Sequence, residues 1–255
     1  MKKTLISLIV TLCSALVLNA QSNLSALMPM PNHVELVKGK PYRFVEGRTA
    51  IAYTDKQQFV AESLASIIKQ RTGVAVPAVT GTKADITLAL DPTLQGDEHY
   101  RIVVSHKGIA LTGSTMAALY RAVMTMDQLL MGDILATAND EMAPIVIDDA
   151  PRFGYRALML DPARHFLPVE DVKFFIDQMA KYKYNVLQLH LTDDQGWRVA
   201  IDSHPRLASR QHYTQDELRD IINYAAQRHI EIIPRLFFHV NKPTLSAYSE
   251  RHCSW

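Results

Sequence analysis

Cysteine is almost missing from this chain: among 255 residues it occurs only as Cys13 and Cys253. Cys13 sits in a stretch that reads as a removable leader, so the mature chain has no pair from which to form an internal disulfide. A fold without such staples needs a sizeable core, and the length allows one large domain or two ordinary ones. A dominant charge sign is missing as well. Lys+Arg 27 against Asp+Glu 26 leave a formal +1, which gives no electrostatic reason to expect nucleic acid or an anionic membrane as partner. Past residue 20 no apolar run is long enough to span a bilayer, and no Cys/His spacing of the zinc type occurs.

The chain opens with "MKKTLISLIVTLCSALVLNA". Lys2 and Lys3 form a positive start, Leu5 to Leu18 is a mostly apolar run too short for a comfortable transmembrane helix, and small and polar residues follow. The pattern predicts a secretory signal peptide over 1–20, cut after Ala20; an N-terminal membrane anchor is the alternative. Gln21 stands where a lipoprotein would need cysteine. Export without disulfides suits a bacterial periplasm or the cell exterior, with no membrane association once the leader is gone.

Two regions follow. Residues 26–149 mix short alternating strands with two helices, an α+β domain. "HVELV", "AIAY", "ADITLAL", "YRIVVS" and "GIALTG" are the strands. "SHKGI" joins the last two as a tight turn, with Gly108 expected to supply a positive φ. Val60, Leu64, Ile67 and Ile68 recur at helical spacing until Gly73, and a second helix is predicted from about Ser114 to Met131. A connection with one short strand, "IVID", leads to a boundary near Ala150.

Residues 150–255 repeat one unit. "RALMLD" is a buried strand, a helix is predicted from Pro168 to Lys183 with Val172, Phe175, Ile176 and Met179 inward, and "VLQLHL" is the next strand. Thr214 and Glu217 form a capping box for a helix with Leu218, Ile221, Ile222 and Ala225 inward. "IEIIP" is the third strand. Strand–helix alternation means parallel pairing: the first three strands of an incomplete (β/α)8 TIM barrel, whose loops after the strands share one mouth. Asp161, Arg164 and His165 come to that mouth from the first strand; His190, Asp193 and Asp194 come from the second.

Each of these has two uses. Arg164 is a planar fork suited to paired hydroxyls or a carboxylate, or a structural partner of Asp161. His190 is a satisfied core histidine or a site residue. Asp193 and Asp194 turn the loop, orient a histidine or hold a metal. Trp197 packs, or stacks on a sugar. Gln188 stands where metal-dependent barrel hydrolases place the first of two strand histidines.

The stretch "RALMLDPARHFLPVEDVKFFIDQMAKYKYNVLQLHLTDDQGWRVAIDSHPRL" resembles the start of the catalytic barrel of glycoside hydrolase family 20, the β-N-acetylhexosaminidases. D-x-x-R-H-F followed by L-x-L-H-L-T-D-D-Q-G-W carries the resemblance, and "EHYRIVV" with "GIALTGSTMAALYRAVMTMDQLL" resembles the preceding domain of that family. The resemblance implies removal of terminal N-acetylglucosamine or N-acetylgalactosamine from glycans with retention. The substrate's own acetamido oxygen attacks, outside the usual two-carboxylate scheme, and no metal or organic cofactor takes part. It also implies that Arg164 grips sugar hydroxyls, with His190 and Asp193 as supporting residues, the aspartate orienting a histidine of the third strand's loop.

The family's catalytic Asp-Glu pair follows a fourth barrel strand and has no counterpart here. Asp97-Glu98 precedes the barrel, and Asp216-Glu217 lies in a capped helix turn. After Pro234 the sequence "RLFFHVN" has Arg235, Phe237 and Asn241 where carboxylates and a histidine are expected. Residues 235–255 are therefore atypical, as after a shift of reading frame, and this chain is expected to be an inactive truncated copy. The alternatives are a non-catalytic carbohydrate-binding or scaffold protein and a metal-dependent barrel hydrolase.

Overall fold

A computed structural model describes residues 27–131 and 140–236. The expected signal peptide, both cysteines, Phe237 and Asn241 lie outside the described residues. The chain divides between Arg152 and Phe153 into two compact units.

The first unit contains β1 (His33–Leu36), β2 (Tyr42–Arg43), β3 (Ile51–Tyr53), helix α1 (Gln58–Thr72), β4 (Ala78–Thr80), β5 (Ile86–Leu90), β6 (Tyr100–Ser105), β7 (Gly108–Gly113), helix α2 (Met116–Leu130), β8 (Glu141–Met142) and β9 (Ile145–Asp149). Seven strands form one sheet in the order β1-β9-β6-β7-β5-β3-β4, and β2 pairs with β8 separately. The strand expected within the connection, β9, thus lies inside the sheet, antiparallel to both β1 and β6. Alternation builds the core: Tyr100, Ile102 and Val104 of β6 and Ile109 and Leu111 of β7 are buried, while the residues between them are not.

Helix α2 is buried along Ala118–Gln128, so its polar side chains must be satisfied internally. Arg121 donates to Glu98 at 3.1 Å, Asp127 accepts from Arg71 at 2.7 Å, and Thr125 meets the Tyr100 hydroxyl at 2.7 Å. Glu98, the carboxylate of the "GDE" sequence, is therefore the partner of a buried arginine. Helix α1 ends where Gly73 adopts φ +78°, as its position after the apolar stripe predicts. Gly108 has the positive φ expected of its turn, +157°, and is needed for a second reason as well: a Cβ there would lie 2.3 Å from the Asp85 carbonyl oxygen, which accepts from the Ile109 N–H at 2.8 Å.

The second unit contains β10 (Ala157–Leu160), α3 (Val169–Lys181), β11 (Val186–Asp193), β12 (Gly196–Trp197), α4 (Gln215–Gln227) and β13 (Glu231–Leu236). β11 is the central strand, parallel to β10 on one side and to β13 on the other, and β12 folds back antiparallel on its end. The register aligns Leu158, Leu187 and Ile232 in one row and Leu160, Leu189 and Pro234 in another, on one face. Met159, Gln188 and Ile233 share the opposite face. Met159 is 45% exposed, so the first strand is buried on one side rather than both. This is the three-stranded parallel start of a barrel, open on its inner face among the described residues.

Both helices and the third strand follow their sequence signals, with three departures. α3 ends at Lys181, and Lys183, expected at its end, is a buried residue at φ +61° whose carbonyl accepts from Arg156 at 2.8 Å. Ile222 of α4 is 47% exposed, although Ile221 and Ala225 are buried. The third strand does not stop at Pro234 but runs to Leu236, with Arg235 opposite His190. Thr214 accepts from the Glu217 N–H at 3.2 Å while Glu217 accepts from the Thr214 N–H at 2.8 Å, completing the capping box. Asp177 of α3 binds Tyr224 of α4 and Arg228, the residue that caps its C-terminus, at 2.7–3.0 Å and fixes the two helices side by side.

Gly108→Ala tests the packing of the first unit. Overpacking against fixed backbone should lower its urea-unfolding free energy by about 1–3 kcal/mol; an unchanged midpoint would contradict the close approach.

Candidate functional site

The loop after β10 and the end of β11 meet through two carboxylates and an arginine. Asp161 is the first residue after β10, and its carboxylate accepts from the Arg164 backbone N–H at 3.0 Å, closing the turn. The other Asp161 oxygen lies 3.1 Å from Arg164 Nη1. On the far side, Asp193 Oδ2 accepts from Arg164 Nε at 3.1 Å and lies 2.9 Å from Nη2. Arg164 therefore spans both strand ends, and its side chain remains 62% exposed.

The same Asp193 oxygen lies 3.1 Å from His190 Nε2. A carboxylate only accepts, so that ring nitrogen carries the proton. His190 is 5% exposed, and its Nδ1 is buried without a hydrogen-bond partner among the described residues. The backbone N–H of Asp194 donates to Asp193 Oδ1 at 2.8 Å. That backbone bond first, then His190, then Arg164 hold the Asp193 carboxyl down at about 2. Asp193 is thus an anion across the working pH range. It has no proton to give; its chemistry is to hold a cation and orient an imidazole.

Of the residues singled out from sequence, Asp161, Arg164, His190 and Asp193 are brought into one cluster. Arg164 pairs with Asp161, as its structural use requires, and its side chain remains exposed. His165 and Asp194 are exposed at the same loops. The histidine expected on the third strand's loop does not fall among the described residues, and the ring that Asp193 meets here is His190. Arg235 lies beside the cluster in register with His190, and its Nη1 is 3.6 Å from the Met159 sulfur. Gln188 donates to the Tyr155 hydroxyl at 2.8 Å. Among the described residues no group of three or more His, Cys, Asp or Glu side chains is placed to hold a metal ion.

Sequence reasoning passed over Arg198. It is 8% exposed, and it donates to the carbonyls of Pro162 at 2.9 Å, Ala163 at 3.0 Å and Gln211 at 2.9 Å. The signal was there: in "GWRVAI" an arginine interrupts a short apolar run two residues after a glycine. Tyr213, fully buried, adds a second tie by donating to the Leu167 carbonyl at 2.6 Å.

Comparison with known proteins matches both units to one family. Residues 153–250 match the profile described as glycosyl hydrolase family 20, catalytic domain, and residues 24–150 match domain 2 of the same family. The catalytic match runs past Pro234, where the sequence was expected to leave the pattern. A beta-hexosaminidase of Vibrio furnissii is 38% identical over 237 residues, covering 83% of this chain and 37% of that protein. A beta-N-acetylhexosaminidase of Cellulomonas fimi is 33% identical over 240 residues, covering 86% of this chain and 47% of the relative. Among solved structures, the N-acetyl-beta-hexosaminidase of Streptomyces plicatus in complex with Thio-NAglucal superposes with a TM-score of 0.74 at 38% identity, over 83% of this chain and 45% of that one. The chain thus spans less than half the length of each of these relatives.

The low Asp193 carboxyl gives a prediction with a definite sign. A group depressed on folding contributes stability that is fully present above its unfolded value of about 3.9 and is lost as pH falls toward about 2. Asp193→Asn removes this contribution, so acid unfolding followed by circular dichroism should depend less steeply on pH over that interval than in the wild-type chain. Parallel acid limbs would contradict the assignment.

Proposed function

Because the chain belongs to glycosyl hydrolase family 20, we propose that it forms the arginine-bearing part of a terminal sugar subsite for N-acetylglucosamine- or N-acetylgalactosamine-terminated glycans. The intact activity to which this subsite contributes is hydrolysis of the glycosidic bond of terminal β-N-acetylhexosaminides. The observation that carries this reading is the guanidinium of Arg164. It is fixed on two sides by Asp161 and Asp193 yet largely exposed. Of its five N–H donors, one each on Nε, Nη1 and Nη2 faces a carboxylate. The remaining two suit a pair of neighbouring hydroxyls, and a pre-positioned fork loses less freedom on binding than a mobile side chain.

The same contacts separate binding from turnover. Breaking a glycosidic bond requires an acid placed at the leaving oxygen. Asp193 is held ionised, and Asp161 directs both oxygens to Arg164. Asp193 therefore cannot supply that proton, and the family's Asp-Glu pair has no counterpart among the described residues, so this reading is one of sugar binding without hydrolysis. We further propose export to the periplasm or the cell exterior, directed by the leader read in residues 1–20.

Three measurements test these statements. Arg164→Lys replaces the fork by a point charge and should weaken N-acetylglucosamine binding by about tenfold or more, equivalent to about 1.4 kcal/mol; equal affinities would remove Arg164 from the site. The purified chain should release no p-nitrophenol from the aryl N-acetylglucosaminide, and measurable release would overturn the split between binding and turnover. Protein recovered from a bacterial periplasm or medium should begin at Gln21; retention of the full leader in the cytoplasm would contradict export.

A further inference from the structure

We infer that Arg198 is the positioning residue for Arg164: its buried guanidinium clamps the loop after β10 so that Arg164 stays between Asp161 and Asp193. The importance of this for sugar binding rests on the proposed role of Arg164.

Arg198 lies just after the β11–β12 hairpin and is tied to the end of β11 by its own backbone, whose N–H donates to the Leu191 carbonyl at 2.8 Å. From there the side chain reaches across to the other strand's loop. Two of its nitrogens donate to Pro162 and Ala163, the two residues immediately before Arg164, and the third donates to Gln211. The guanidinium also sits 5.8 Å from the centre of the Phe166 ring, two residues after Arg164. The clamp therefore grips the loop on both sides of Arg164 without touching Arg164 itself.

All three acceptors are neutral carbonyls, and no ion pair to Arg198 occurs among the described residues. A buried cation without a counter-ion is costly, so this placement calls for a gain elsewhere. Three divergent acceptors match a planar fork and no other cation. Without it, the carbonyls of Pro162 and Ala163 would lose partners in a buried setting. Arg164 needs such help, because exposed ion pairs of the kind it makes are weak and easily exchanged for water.

Gly196 supplies an independent observation. A Cβ at this position would lie 2.4 Å from Arg198 Cζ, 2.6 Å from Nε and 2.7 Å from Nη2. In this conformation the guanidinium occupies the space that a side chain at Gly196 would take, so a Cβ there would have to displace it. The sequence Gly196-Trp197-Arg198 thus encodes a clamp and its socket together.

The test uses the full chain with its aspartate carboxyl carbons and arginine side-chain nitrogens labelled for NMR. Arg198→Met removes the clamp but keeps a long apolar stem. Gly196→Ala keeps the arginine and blocks its seat. Arg228→Met, which breaks the helix–helix contact to Asp177, controls for loss of stability alone. With the clamp gone, Arg164 leaves Asp193. The Asp193 midpoint should then rise by roughly 0.5 or more, because a nearby opposite charge ordinarily lowers a carboxyl by about 1 or more. The Arg164 Nε–H signal should exchange faster with water in the same two variants. Arg228→Met should lower the melting temperature and leave both readouts unchanged.

Folded Arg198→Met and Gly196→Ala chains with wild-type Asp193 titration and Arg164 exchange would overturn the inference; if Arg198→Met does not fold, Gly196→Ala decides it. A parallel titration with N-acetylglucosamine keeps the two proposals apart. A wild-type chain that fails to bind the sugar defeats the proposed function, while the titration still decides the clamp.

Discussion

The second unit depends on one carboxylate, that of Asp193. It is where the end of the central strand, the loop after the first strand and a buried histidine meet: Oδ2 takes Arg164 and His190, and Oδ1 takes the Asp194 backbone. An acceptor with this many donors stays ionised, which is why it can hold a guanidinium in place and cannot act as an acid. The division of labour in the site, cation fixed and anion spent, follows from that one environment.

The rest of the unit delivers this meeting. Rows of leucine and isoleucine set the register of β10, β11 and β13, and register decides that Asp161, one residue past Leu160, comes level with the end of β11. The helices between the strands are fixed by ordinary signals, a capping box at Thr214 and the Asp177 contacts with Tyr224 and Arg228. The inner face stays open around Met159 and Arg235. Arg198 then compensates for the looseness of a surface loop with a buried fork.

Much of this was legible in the amino-acid order. Strands β6 and β7 alternate cleanly, and a strict period of two leaves little freedom in their ends. The capping box marks the start of α4 by chemistry rather than by hydropathy. Asp161, Arg164, His190 and Asp193 could be grouped because parallel strand–helix alternation brings all strand ends to one side. What could not be read has physical causes. Lys183 leaves its helix because a left-handed turn is needed to enter β11, and no glycine marks it. Gly108 has the positive φ its turn predicts, but its approach to Asp85, more than twenty residues earlier, is recorded by no local pattern. Arg198 binds carbonyls, and backbone acceptors have no residue type to betray them. That Asp193 meets His190, at 3.1 Å, likewise depends on how the end of β11 turns back on itself, which the order of residues does not state.

The central claim is that Arg164, held by Asp161 and Asp193, is the group that meets the sugar. It is tested most directly by following the Arg164 side-chain N–H resonances of the full chain while N-acetylglucosamine is added. The account predicts a saturable shift at Arg164, with Arg228 on the helix side unmoved. Saturable binding of the sugar that leaves the Arg164 resonances in place would contradict it.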